Sequence, residues 1–308
     1  MVKFLLRRFT VAILVALTVL TLSFLLTRLS GDLAISLAAP NATQADIEII
    51  RQAYGLNRPL TTQYFDWLIR AVQGDFGESF FFRERVSSLI AHRLPITMTL
   101  GLVGLMIAVV VALPLGIIAA VRENSWVDRS VMMVALIGQA MPSFWLGLIL
   151  MVVLGLNLAW LPISGTGSWE YYVMPGIVLS FSAIPSLMRL TRSGMIEALS
   201  SDYIRTARAK GLSRLSILVK HGFRNAAIPV VSIAAVQLGF MLGGSIVIET
   251  VFAMHGVGYL AWESISKNDF PVVQAVVLVL AVIYIALTLF ADLLNAVIGM
   301  LMKGGGGG

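Results

Sequence analysis

The stretch Thr97 to Val121, TMTLGLVGLMIAVVVALPLGIIAAV, carries no charged side chain. A helix crossing the hydrocarbon of a bilayer needs roughly 20 predominantly apolar residues, and this run exceeds that length. Five other runs have the same character: 9–29, 131–158, 172–190, 227–250 and 272–300. Hydrophobic residues make up 58% of the 308-residue chain and charged ones 12%, about half the charged share of a soluble domain. The sequence therefore predicts an all-α membrane protein, a six-span helical bundle. Its formal charge of +6 comes from few, unevenly distributed groups, which favours an orientation signal over a nucleic-acid footprint. There is no cysteine, so disulfides and thiolate metal sites are excluded.

Prolines 114, 142, 175 and 185 fall inside the runs and read as kinks, tolerated where neighbouring helices satisfy the freed carbonyls. Gly101 and Gly104, and Gly239, Gly243 and Gly244, predict close helix approach. The N-terminal MVKFLLRR with Ser36-Leu37-Ala38 resembles a cleavable signal, but the apolar stretch from Phe9 to Leu26 is longer than the ~7–15 residues of a signal core. A retained anchor is expected. Residues 30–95 form the longest polar segment: TQAD at Thr43 predicts a capping box, and Tyr64, Trp67, Leu68 and Val72 predict one amphipathic helix face. Short helices near the outer surface are expected there. The final GGGGG reads as an appended tail.

With the N-terminus inside, fourteen Lys and Arg fall on inner segments and eight on outer ones, which places both termini in the cytoplasm by the positive-inside rule. The richest inner segment lies between spans four and five and contains SSDYIRTARAKGLSRL, Ser200 to Leu215. Ser200 or Ser201 predicts a helix N-cap, Asp202 suits the first turn, and Arg205, Arg208 and Lys210 suit the later turns. Gly211 supplies a left-handed residue after the end, and Ser213 caps a second helix through Leu215, Leu218 and Val219. Ala207 and Ala209 leave the backbone approachable. Charge and periodicity alone are met equally by a solvated loop that only fixes topology.

Wording narrows the choice. DYIRTARAKGLS followed by HGFRNAAIP closely resembles the cytoplasmic loop of permease subunits in bacterial ABC importers, in the dipeptide/oligopeptide/nickel branch. Arg205-Thr206-Ala207 stand where the general pattern has Glu-Ala-Ala, and Gly211 stands at its glycine. YGLNRPLTTQYFDWL, GDFGES, RLPITMTL, SWVDR, PSFWLGL and ETVFAMHGVGYLAWESISKNDFPVVQA are similar to the first of the two permease types, in the same order. Two passages depart: LSGDLA at Leu29, and the missing basic ending after Asn295.

The resemblance implies a type I importer permease in a multi-pass bacterial inner-membrane location. Residues 1–95 would hold the first helix and an extracytoplasmic segment. Residues 96–302 would form the core domain, with a coupling loop at about 191–226, and 303–308 the tail. The contact with an ATPase subunit is implied for Asp202, Tyr203, Arg205, Thr206, Ala207, Arg208, Ala209, Lys210, Gly211, Leu212 and Ser213. Implied partners are a second permease, two ATPase subunits or domains, an extracytoplasmic solute-binding protein and the lipid bilayer. Nucleic acid is not among them. The chain has no G-x-x-x-x-G-K-[ST] phosphate loop, so ATP and Mg belong to the partner ATPases and no cofactor or catalytic residue is expected here.

The implied cargo is di- or oligopeptide, with nickel complexes, opines, glutathione-like molecules and oligosaccharides carried elsewhere in the branch. Candidate pathway residues are Gln139, Ser143, Asn157, Gln237, Glu249, Asp292 and Asn295; for the neutral ones an interhelical hydrogen bond is the plainer reading. His92, His221 and His255 lie in separate segments without metal-ligand spacing. A self-contained secondary transporter would need deep carboxylates and an internal repeat; Asp292 is the one deep acidic candidate. A membrane scaffold would predict no ATP-coupled transport.

Overall fold

The structure, a computed structural model, describes residues 2–29, 32–38 and 41–304. The described residues are helical or irregular, with one isolated bridge, Glu78 to Arg85, and no strand. Ser30 and Gly31 of the LSGDLA passage, and glycines 305–308 of the tail, lie outside the described residues.

The helices are α1 (Val2–Leu29), α2 (Leu33–Leu37), α3 (Gln44–Ala53), α4 (Leu60–Val72), α5 (Val86–Val121), α6 (Trp126–Ala140) and α7 (Ser143–Leu150). They continue as α8 (Val173–Ser180), α9 (Ile184–Ser200), α10 (Asp202–Ala209), α11 (Arg214–Ser216), α12 (Arg224–Val251), α13 (Val257–Ser266) and α14 (Phe270–Gly304). A π-helical segment, Met151–Asn157, extends α7, and another, Ile217–Phe223, joins α11 to α12.

Among the described residues, four helices are long and apolar enough to cross a membrane: Leu6–Leu26, Val86–Val121, Pro229–Val251 and Phe270–Ala296. Two bent helix pairs, each apolar enough to count as one broken span, raise the number of candidate spans to six: the bend is 98° between Trp126–Ala140 and Ser143–Asn157 and 62° between Trp169–Ser180 and Ile184–Ser200. The expected kinks divide into two kinds. Pro142 follows Met141, whose ψ of 134° is extended, because a proline ring disfavours the helical conformation of the residue before it. Pro185 opens α9, where its missing N–H is no loss. Pro114 and Pro175 instead sit inside the helices α5 and α8.

One compact unit comprises residues 1–95 and 255–285. Here α1 packs on α4 through Leu20, Ala71 and Trp67, and the Tyr64 hydroxyl meets Thr21 Oγ1 at 2.8 Å. Val72, expected on that face, is 78% exposed. The buried stripe runs 64, 67, 68, 71 at helical spacing, and position 72 has already rotated out of it. The Thr43 capping box forms as expected, and the bonds from the Thr43 hydroxyl and amide hold the Asp46 carboxyl below its ordinary pKa. At the α13–α14 corner, buried Asp269 accepts bonds from Ser79 Oγ at 2.5 Å, Phe80 N at 3.1 Å and Phe81 N at 3.2 Å.

The other unit comprises 96–254 and 286–308. Its core joins Leu100, Ala108 and Ala112 of α5 to Leu179, Leu187, Met188, Met241 and Phe252. Small residues set the crossings. A Cβ on Gly116 would stand 2.8 Å from the Met188 carbonyl oxygen, and one on Gly101 would stand 2.9 Å from Leu242. Gly243 and Gly244 depart from expectation, with open space where a Cβ would stand.

Candidate functional site

The basic stretch becomes a short helix docked by one edge. Ser201, with extended φ −73° and ψ 156°, ends α9 and begins α10. Its hydroxyl does not cap α10, as the sequence suggested, but donates to the Ala198 carbonyl at 2.5 Å. The abrupt junction makes Ser201 the C-cap of one helix and the N-cap of the next, and the Ala198 carbonyl accepts both its N–H, at 3.2 Å, and its hydroxyl.

Ile204 and Ala207 are buried against Ile217, with Leu199 packed alongside. Ala207 is therefore not the approachable position expected of it: at three residues from Ile204 it shares the inward face. The C-terminus closes as expected. Gly211 takes φ +71°, its N–H donates to the Arg208 carbonyl at 3.0 Å, and the Leu212 N–H donates to the Ala207 carbonyl at 3.3 Å. This pair of bonds is the Schellman arrangement, in which a left-handed residue satisfies the last carbonyls with least strain when it is glycine. Ser213 Oγ accepts from Ser216 N at 3.3 Å and starts α11.

The π segment after α11 fixes this hairpin to the bundle. A Cβ on its Gly222 would stand 3.1 Å from Met195 Cε, and Met195 and Ala226 are buried together with Ala120 of α5.

The outward face is different in kind. Asp202, Tyr203, Arg205, Thr206, Arg208, Ala209, Lys210, Gly211, Leu212 and Ser213 are all exposed. Arg205 reaches Asp202 at 3.2 Å, but side-chain exposures of 78% and 93% make that pair worth little. Thr206 Oγ1 bonds back to the Asp202 carbonyl at 3.1 Å. Arg208, Lys210 and Arg214 make no ion pair among the described residues. Leu215, read from sequence as part of the helix capped by Ser213, is 72% exposed next to Arg214, and Leu212 is 40% exposed. Arginine and large apolar groups together on a rigid surface are what protein interfaces favour, so the face suits a partner with carboxylates and an apolar notch.

The pathway candidates scatter. Gln139, Ser143 and Asn157 are exposed around the α6–α7 break and the π segment, while Gln237 and Asp292 are half-buried. Asn295 Oδ1 accepts from Ser232 Oγ at 2.6 Å, the interhelical bond read as the plainer alternative. Glu249 is fully buried, accepting from Thr97 Oγ1 at 2.7 Å and Ser245 Oγ at 2.9 Å. The described residues hold no group of three His, Cys, Asp or Glu fit for a metal.

One contact escaped the sequence reading. Arg192 donates from Nε to Asp128 Oδ1 and from Nη2 to Asp128 Oδ2, both at 2.6 Å, and Asp128 also accepts from Asn124 N at 3.0 Å. This fork ties the first turn of α6 to α9, the helix that leads into α10. Only the pairing of an acid at the start of one broken span with an arginine near the end of the next could have signalled it.

Comparison with known proteins places this architecture. Residues 112–303 match the family model for the binding-protein-dependent transport system inner membrane component, and residues 1–101 match that family's N-terminal membrane component. The chain belongs to this family, the permease subunits of ABC importers, in its peptide/nickel group. It is similar to the glutathione transport system permease protein GsiC of Escherichia coli K12, 43% identical over 270 residues and 88% of each chain. The GsiC of Salmonella typhimurium LT2 is 41% identical over 299 residues, 97% of this chain and 98% of that one. Among solved structures, the inward-facing MetNI methionine ABC transporter matches with a TM-score of 0.58, covering 68% of this chain and 96% of that one. At 20% identity this likeness speaks to the fold alone. The protein is a multi-pass inner-membrane permease, and its family's members are not themselves catalytic.

Proposed function

We infer that this chain, paired with a second, related permease, forms the translocation pathway of an importer for peptide-like solutes and that α10 is the contact through which ATP hydrolysis on separate subunits moves it. The observation that carries the reading is the outward face of α10. It is a basic surface whose Arg208 and Lys210 have no ion-pair partner among the described residues, on a helix capped at its end and buried along one edge. A helix held this way transmits a push from a partner into α9 and α12 without bending.

The GsiC likeness supports glutathione or a similar short peptide as cargo. In this reading ATP and Mg sit on the ATPase subunits, an extracytoplasmic binding protein delivers the solute, and both termini and α10 face the cytoplasm.

The test is to pull down the complex through this chain and reconstitute it. Stoichiometric ATPase subunits and a second permease should come with it, and a glutathione-loaded binding protein should stimulate ATP hydrolysis. Isolation of the chain alone, active in solute flux without ATP, would refute the reading.

A further inference from the structure

We propose that the recess beside α9 is a transit site for the carboxylate of an anionic peptide, with Arg189 as its recognition group; this rests on the import reading above. The recess holds about 500 Å³ between α6, α9 and α12. Its polar lining comes from α9 alone: Ser186, Arg189, Arg192 and Ser193, opposite the apolar Met132 and Ile233.

The two arginines are not equivalent. Arg192 is already engaged, the Nε and Nη2 edge of its guanidinium being held by the two carboxylate oxygens of Asp128. Arg189 is exposed into the recess and makes no ion pair or side-chain hydrogen bond among the described residues. Positions 186, 189 and 193 share one helix face, so a hydroxyl lies one turn to either side of the free guanidinium. A guanidinium binds a carboxylate through two parallel N–H bonds, and the Ser186 hydroxyl supplies a further donor to the same anion or to a peptide carbonyl, while the Ser193 hydroxyl donates to the Leu190 carbonyl at 3.1 Å.

The Asp128–Arg192 fork has a second effect. It neutralises the neighbouring cation, so one net positive charge faces the recess, and it fixes the α9 backbone from which Arg189 projects. An open recess with a single charge binds weakly, as a transit site must if the solute is to leave it. A phosphate of an anionic lipid headgroup would satisfy the same donors, so the experiment must separate the two sources.

The complete complex, with its second permease, ATPases and binding protein, is reconstituted in vesicles of phosphatidylcholine alone, which contain no net-anionic lipid. ATP-driven uptake of radiolabelled glutathione and ATP hydrolysis are measured together. In Arg189→Gln, glutathione taken up per ATP hydrolysed should fall about tenfold, the scale of one lost charge-assisted hydrogen bond, with binding-protein stimulation of the ATPase retained. Arg189→Lys should restore the ratio to within about threefold, because it returns the charge without the fork.

An unchanged ratio in Arg189→Gln would overturn the site. So would an equal loss of uptake and ATPase, which marks a charge needed only for insertion. A defect that appears only after anionic lipid is added would assign the arginine to the headgroup and overturn the substrate site. Absence of ATP-driven uptake of glutathione and of other short peptides by the unaltered complex would instead remove the import reading itself.

Discussion

Two corners of this molecule are built from the same backbone device and put to opposite uses. α10 ends on left-handed Gly211, and α13 ends on left-handed Asn268, with the Asn268 N–H returning to Ile265 and the Asp269 N–H to Ser264 at 2.8 Å. After α13 the next side chain turns inward, and Asp269 is taken up by Ser79 and the amides of Phe80 and Phe81. After α10 nothing turns inward, and the basic side chains remain in the open. The α13 corner uses its charge to fix a loop; the α10 corner leaves Arg208 and Lys210 without an ion-pair partner among the described residues. Exposed cations on a preformed helix contribute little to stability and much to recognition.

The difference is open to direct attack. Asp269→Ala should have the largest effect, because it strands a buried hydroxyl and two amides. A loss of about 3–4 kcal/mol, read as a fall in the melting temperature of the purified complex, is expected; an unaltered melting temperature would mean that the corner is not held by this carboxylate.

Next in size is Asp128→Asn, which opens the fork with Arg192. The pair is only partly buried, with side-chain exposures of 24% for Arg192 and 6% for Asp128, so about 2 kcal/mol is expected. The double variant with Arg192→Gln should recover part of it in a thermodynamic cycle.

Gly211→Ala should cost about 1 kcal/mol, since the glycine lies at φ +71° with open space around it. Strain, not crowding, is then the only penalty, and helix content by circular dichroism should barely change. The smallest stability effect belongs to Arg208→Gln, within about 0.5 kcal/mol, yet this variant should lower binding-protein-stimulated ATPase activity several-fold. A similar loss of stability at Arg208 and at Asp269 would erase the distinction between the two corners.

The features legible in sequence are those written in local pattern. The uncharged run at 97–121, the Thr43 capping box and Gly211 after a basic helix each state their structure within a few residues. The inward turn of Ala207 was not legible, because an alanine in a charged octapeptide fits either face, and only Ile217, ten residues on, decides which one is covered. Val72 was misplaced by one position for the related reason that both it and Ala71 are apolar. The Asp128–Arg192 fork and the three bonds to Asp269 join residues 64 and about 190 positions apart, and no local pattern announces a partner at that distance. The breaks at Pro142 and Pro185 were visible as prolines, but whether a membrane proline bends a helix or ends it depends on the residues packed around it.

The proposed seat of the outward face of α10 is a groove on an ATPase subunit. The chain has no cysteine, so single cysteines can be placed without background and cross-linked to partner lysines in the intact complex. Arg208→Cys and Leu215→Cys should each give an adduct between this chain and the ATPase, and buried Ile204→Cys should give none. Absence of an ATPase adduct from both exposed positions, in a complex that retains its ATPase subunits, would contradict the account.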